Sequence, residues 1–135
     1  MILFFTGGII SFWISDSNTI IPAHYHGSII GITIALMGLV YLYLTRLGFN
    51  FSKSRLIGLM PYFYCVGQIM HIMGLAISGG YGALRKTPGE ALSAKATTAL
   101  GFMGAGGLFA LIGGLLFVYI CYSAFFHKCF KVSSS

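Results

Sequence analysis

Three long runs without a charged side chain constrain this chain more than any other feature: positions 17–45, 56–84 and 96–127 contain no Asp, Glu, Lys or Arg. A helix needs about 20 mostly apolar residues to cross a hydrocarbon core of about 30 Å, and each run exceeds that. A fourth uncharged run at the start is too short for a full crossing, since positions 1–14 give about 21 Å of helix at 1.5 Å per residue. Charged residues make up 7% of the 135-residue sequence and hydrophobic residues 57%, whereas a soluble domain carries about 25% charge. A soluble globular domain is excluded. The expected fold is all-α, a polytopic transmembrane helical bundle forming a single membrane domain. Full spans are expected at about 20–45, 56–81 and 97–126, with a partial span at about 1–14.

The charges sit between the spans. Eight Lys or Arg residues oppose Asp16 and Glu90, for a net charge of +6. They are scattered beside apolar segments instead of forming a basic patch, so positive loops account for them and no nucleic-acid partner is implied. By helix counting, Arg46, Lys53, Arg55, Lys128 and Lys131 fall on one side with no acid among them. Arg85, Lys86 and Lys95 fall on the other with both acids. The positive-inside rule then places the 46–55 loop and the C-terminus in the cytoplasm or matrix. No basic residue precedes Arg46, which argues against a signal peptide.

Several features read as ordinary membrane-helix packing. Gly106, Ala110 and Gly114 recur every four residues, the small-xxx-small pattern that lets helices approach closely. Pro61 is expected to kink the third span, and Gln68 to find a partner in the protein interior because lipid offers none. Cys65, Cys121 and Cys129 lack CxxC spacing, so they read as small apolar fillers and not as a disulfide framework or a zinc site. No internal repeat is present, and a disordered Ser133–Ser135 tail is expected.

The chemistry lies in the histidines. His24 and His26 stand two residues apart near the outer end of the second span, and an ionisable group at membrane depth is a functional hypothesis by default. Positions i and i+2 of a helix lie about 200° apart (3.6 residues per turn), so the two rings cannot easily close on one metal. Zinc pairs use i and i+3 or i+4 instead. A helix with one imidazole on each side is suited to standing between two cofactors, and two hemes are the natural candidates. The plainer account is a pair of interfacial histidines hydrogen-bonded to neighbours.

The segment Pro22-Ala23-His24-Tyr25-His26 resembles the P-G/A-H-F/Y-H segment on the tenth helix of subunit I of the heme-copper oxidases. Gly7-Gly8 with the run into Trp13 is similar to the end of that family's ninth helix, Asn18-Thr19 to the connecting turn, and Gly31–Gly38 to the continuation of the tenth. Gly74-Leu75 through Gly82-Ala83-Leu84-Arg85-Lys86 resembles the end of the eleventh helix and the arginine pair after it, and the last run falls where the twelfth should be. The resemblance covers nearly the whole chain but only the C-terminal third or so of the family's usual subunit. It is closer to the bacterial and archaeal branches than to the mitochondrial one, which implies a bacterial or archaeal cell membrane.

Carried over by position, the resemblance implies that His24 ligates the high-spin heme iron, where oxygen is reduced, and that His26 ligates the low-spin heme iron. It also implies that Arg85 and Lys86 hold heme propionates. Arg forks two hydrogen bonds to a carboxylate and Lys is a point charge, so Arg85 is the stronger candidate. The alternative is that both merely set topology, although they lie where positive charge is disfavoured. Many members have an acid near a non-redox magnesium seven residues before the first ligand histidine. Here that position is Ser17, with Asp16 one place off, and no metal is assigned. His71 has no alignable counterpart and reads first as a satisfied interior histidine, with a heme-edge or proton-path role as the alternative; His127 is expected to snorkel at a span end.

The family's copper-ligating histidines, its crosslinkable tyrosine and the second low-spin heme ligand have no counterparts in this sequence, and both acids fall in outer loops. The chain is therefore not catalytic alone. A larger membrane chain would carry the N-terminal helices and copper B, and would share two hemes of unspecified type with this one. Other oxidase subunits and a cytochrome c or quinol donor would complete the assembly. A split subunit and a fragment of an ordinary one give the same sequence. A nitric oxide reductase of the same superfamily and a heme-free scaffold or assembly subunit are the competing functions.

Overall fold

The computed structural model describes residues 2–49, 51, 55–86 and 92–133, with side chains described as far as Phe126. Helix α1 covers Ile2–Ile10 and runs into a 3-10 turn at Ser11–Trp13; α2 covers Ile20–Arg46, α3 Arg55–Gly80 and α4 Ala94–Ser133. No strand forms among the described residues. Three helices are long and apolar enough to cross a membrane, with Ile2–Trp13 as a shorter apolar piece. The protein is a transmembrane-type helical bundle. Lys53 and Glu90, the side chains of His127, Lys128, Cys129 and Lys131, and Ser134–Ser135 lie outside what is described, while Ser133 closes α4.

The helix ends follow local chemistry. Asn18 Oδ1 accepts the Ile20 amide at 3.0 Å, and Ser93 Oγ accepts the Ala96 amide at 3.2 Å, each satisfying a backbone donor that the first helical turn leaves orphaned. At the end of α3, Ala83 N–H donates to Ser78 O and Gly82 N–H to Gly79 O, both at 3.0 Å, and Gly82 has φ 82°. This is the left-handed glycine stop that absorbs the last carbonyls. Pro61 lies inside α3, which continues through it without a break.

α3 and α4 pack along most of their length. The inward face of α4 runs Ala96, Ala99, Met103, Gly106, Ala110, Gly113, Phe117, Ile120, Ala124, all buried except half-buried Met103 and Phe117. Spacings of three and four alternate, the repeat of a left-handed supercoil. The every-four stripe expected at Gly106, Ala110 and Gly114 is therefore corrected at its third member. A methyl built on Gly113 would lie 2.6 Å from Tyr64 N, whereas one on Gly114 meets nothing nearer than the Tyr64 ring at 3.9 Å. The reason is the helical period of 3.6, which carries a strict four-residue stripe off the seam.

A buried cluster of Leu3, Ile10, Ile20, Ala23, Ile72 and Leu75 joins α1, α2 and α3. Above it the loops are strapped together: Thr19 N–H donates to Ala83 O (3.1 Å) and Arg85 N–H to Ser17 O (3.0 Å), with Asn18 bridged to Leu84. Thr19 Oγ1 donates to Leu75 O at 2.9 Å and lies 2.8 Å from Ser78 Oγ. Elsewhere large apolar side chains such as Leu36, Leu108, Leu115 and Val118 face outward, as they do where lipid or further helices are the solvent. Gln68 departs from expectation. It is buried, yet its Oε1 has no hydrogen-bond partner among the described residues.

Candidate functional site: the histidines of α2 and α3

α1 and α2 touch backbone to backbone. A methyl on Gly27 would lie 2.8 Å from Gly7 N, and one on Gly31 2.7 Å from Phe4 N; only glycine permits that approach. Because the helices are so close, His24 on the second turn of α2 reaches across, and its Nδ1–H donates to Gly7 O at 2.7 Å. A carbonyl oxygen only accepts, so Nδ1 carries the proton and Nε2 holds the free lone pair.

His26 leaves the other side of the helix. Its Nδ1–H donates to Pro22 O, one turn back on α2, at 2.8 Å, and its ring meets that of His71 on α3 with centroids 4.8 Å apart and planes tilted by 44°. His24 thus faces α1 and His26 faces α3, the separation that i, i+2 spacing implies. His71 repeats the pattern, its Nδ1–H donating to Met103 O on α4 at 3.1 Å. All three half-buried imidazoles have Nδ1 tied to a backbone carbonyl and Nε2 available, the arrangement by which proteins orient a metal-ligating histidine.

His26 and His71 open onto a groove of about 560 Å³ between α2, α3 and α4, which continues past Gln68 and Tyr64 to Met37 and Phe117. That volume lies within the range of ligand pockets. The α4 wall is low because Gly107 and Gly114 line it. Gln68, whose buried Oε1 has no partner among the described residues, is one of the residues that line the same groove.

Arg85 and Lys86 lie at the same end of the bundle as His24 and His26. The backbone strap fixes Arg85 beside Ser17, and Thr19 beside Ala83, and His24 follows Thr19 by about 7.5 Å of helix rise. Both cationic side chains are exposed. Lys86 has φ 62°, a left-handed conformation that costs an L-residue about 1–2 kcal/mol. Nearby, Lys95 Nζ sits 5.3 Å from the centre of the Tyr81 ring.

The four expected site residues thus gather at one end, with His24 and His26 on separate sides of α2. Among the described residues, no group of three or more His, Cys, Asp or Glu side chains assembles that could hold a metal ion. Cys65 and Cys121 are free thiols within α3 and α4. The contact between His71 and His26 is not legible in the sequence. The only signal in the sequence was a histidine within a run of small residues, Gly67 and Gly74; which helix that run packs against is not written locally.

An uncharacterized protein of Rickettsia prowazekii, RP382, is 44% identical to this chain over 135 residues, covering 88% of the chain and 26% of the relative. The chain therefore spans about a quarter of the length of that relative. No family model and no solved structure matches.

Proposed function

We propose that this chain is the C-terminal part of a heme-copper oxidase catalytic subunit, with His24 as axial ligand to the high-spin heme iron and His26 to the low-spin heme iron. One observation carries the reading: two histidines of one apolar helix face opposite sides, each with Nδ1–H fixed on a backbone carbonyl and Nε2 free. That donor set suits iron, which takes a neutral imidazole nitrogen on its axis. Bound heme supplies the one-electron redox chemistry and, where an axial position is open, the site at which O₂ is reduced.

This chain's own residues orient and enclose. The Gly7 carbonyl sets the plane of the His24 ring and the Pro22 carbonyl that of His26. The groove beside His26 offers an apolar berth, and exposed Arg85 and Lys86 offer cations to propionate carboxylates at the strapped end. Because His24 and His26 are two residues apart on one rigid helix, their separation is fixed, as electron transfer between neighbouring centres requires. The outward apolar surface and the greater length of RP382 fit a segment that packs with further helices. Those helices would carry copper B and the second low-spin ligand, on a larger membrane chain or on the same polypeptide. A bacterial relative and the excess of basic residues at the 46–55 end fit a bacterial inner membrane with that end and the C-terminus cytoplasmic.

The test is spectroscopic. The complex purified from native membranes should show two hemes in reduced-minus-oxidised spectra, one of them CO-reactive, together with copper and a large partner. His24→Ala should remove the CO-reactive signal and spare the low-spin one, and His26→Ala should do the reverse. Iron without copper would assign a nitric oxide reductase. Absence of heme would overturn the reading in favour of a scaffold subunit.

A further inference from the structure

Resting on the assignment of His26 as the low-spin ligand, we infer that His71 is a positioning residue for that ligand: it holds the His26 ring in one orientation and is not itself a ligand to the same iron. The first half follows from how His71 is anchored. Its Nδ1–H is tied to Met103 O on α4 at 3.1 Å, and its ring presses on His26 at 4.8 Å, so a rigid link runs from the α4 backbone through His71 to His26. α4 is shaped for this. A methyl on Gly106 would lie 2.5 Å from the backbone N of His71, and one on Gly107 would lie 3.3 Å from His71 Nδ1, so Gly106 lets the α3 backbone approach and Gly107 clears the space beside the imidazole.

The second half follows from distance. A metal–imidazole bond is about 2 Å long, so two imidazoles on opposite sides of one iron hold their ring centres roughly 6 Å apart, with a porphyrin between them. His26 and His71 are in direct ring contact at 4.8 Å, which leaves no room for that plane. The hydrogen bond of His26 to Pro22 O restrains the ring from within its own helix; contact with a side chain anchored on another helix adds a second restraint and ties the ring to α3 and α4. Supports of this kind tune a metal centre through ligand orientation.

The experiment uses the assembled complex and reads the low-spin ferric iron by EPR and its midpoint potential by redox titration, beside heme content. In His71→Ala the heme content should hold while the EPR g-values shift or broaden and the potential moves. His71→Phe, which keeps a ring against His26 but gives Met103 O no donor, should move the same signals less, and should be read in place of His71→Ala if that variant fails to assemble. Unchanged g-values and potential in the variants, with the wild-type low-spin signal present and abolished by His26→Ala, would overturn the role of His71 alone. Loss of the low-spin signal in His71→Phe as complete as in His26→Ala would overturn it in favour of ligation by His71. If the wild type has no low-spin iron, or His26→Ala leaves it intact, the assignment of His26 itself fails.

Discussion

At the residue scale, the proposed site turns on which imidazole nitrogen is free and on the backbone strain at Lys86. Three imidazoles use the same device, Nδ1–H on a main-chain carbonyl, and each therefore presents Nε2. The motif made His24 and His26 legible in the sequence, but their opposite directions rest on helical geometry and the tautomer on where Gly7 and Pro22 place their oxygens. Lys86 is a different case. Its left-handed φ of 62° is a conformation glycine adopts without penalty, so Lys86→Gly should raise the thermal stability of the purified complex by about 1 kcal/mol. The same substitution should lower heme retention on gel filtration less than Arg85→Gln does, because guanidinium binds a carboxylate in two places. Gln68 was expected to be satisfied, yet its buried Oε1 has no partner among the described residues, an exception to the rule that buried polar atoms are hydrogen-bonded.

At the scale of helices, packing is set by where small residues fall on a seam of alternating threes and fours. Gly106 illustrates how strict the seam is: a side chain there would run into Gly67 O at 2.6 Å and Met70 Cβ at 2.7 Å. Gly106→Val should therefore force α3 and α4 apart and destabilise the bundle by about 1–3 kcal/mol, measured as a lower unfolding midpoint in detergent. The space beside Gly104 is open, so Gly104→Ala should leave the midpoint unchanged or raise it slightly, since glycine inside a helix costs about 0.5–1 kcal/mol relative to alanine. The stripe read from the sequence located the right helix face but followed it one residue astray at Gly114, because a four-residue repeat precesses against a 3.6-residue turn.

At the scale of the whole molecule, the start of α2 and the end of α3 are tied by the strap through Ser17, Thr19, Ala83 and Arg85, while Arg46 and Arg55 mark the opposite end. In intact cells, Ser17→Cys should react with a membrane-impermeant maleimide and Arg55→Cys should react only after permeabilisation, as the charge asymmetry requires; the reverse pattern would invert the orientation. Number, length and order of the spans were fixed by the sequence itself, because a membrane demands some 20 apolar residues per crossing and a handful of charges mark every break. The HxH spacing likewise committed two rings to two sides of one helix. The tertiary structure alone decided that α3 brings His71 against His26, that glycines of α4 admit it, and that a groove opens beside them. Such contacts depend on which helix faces which, a choice made by packing between segments distant in the chain, and no local run of residues records it.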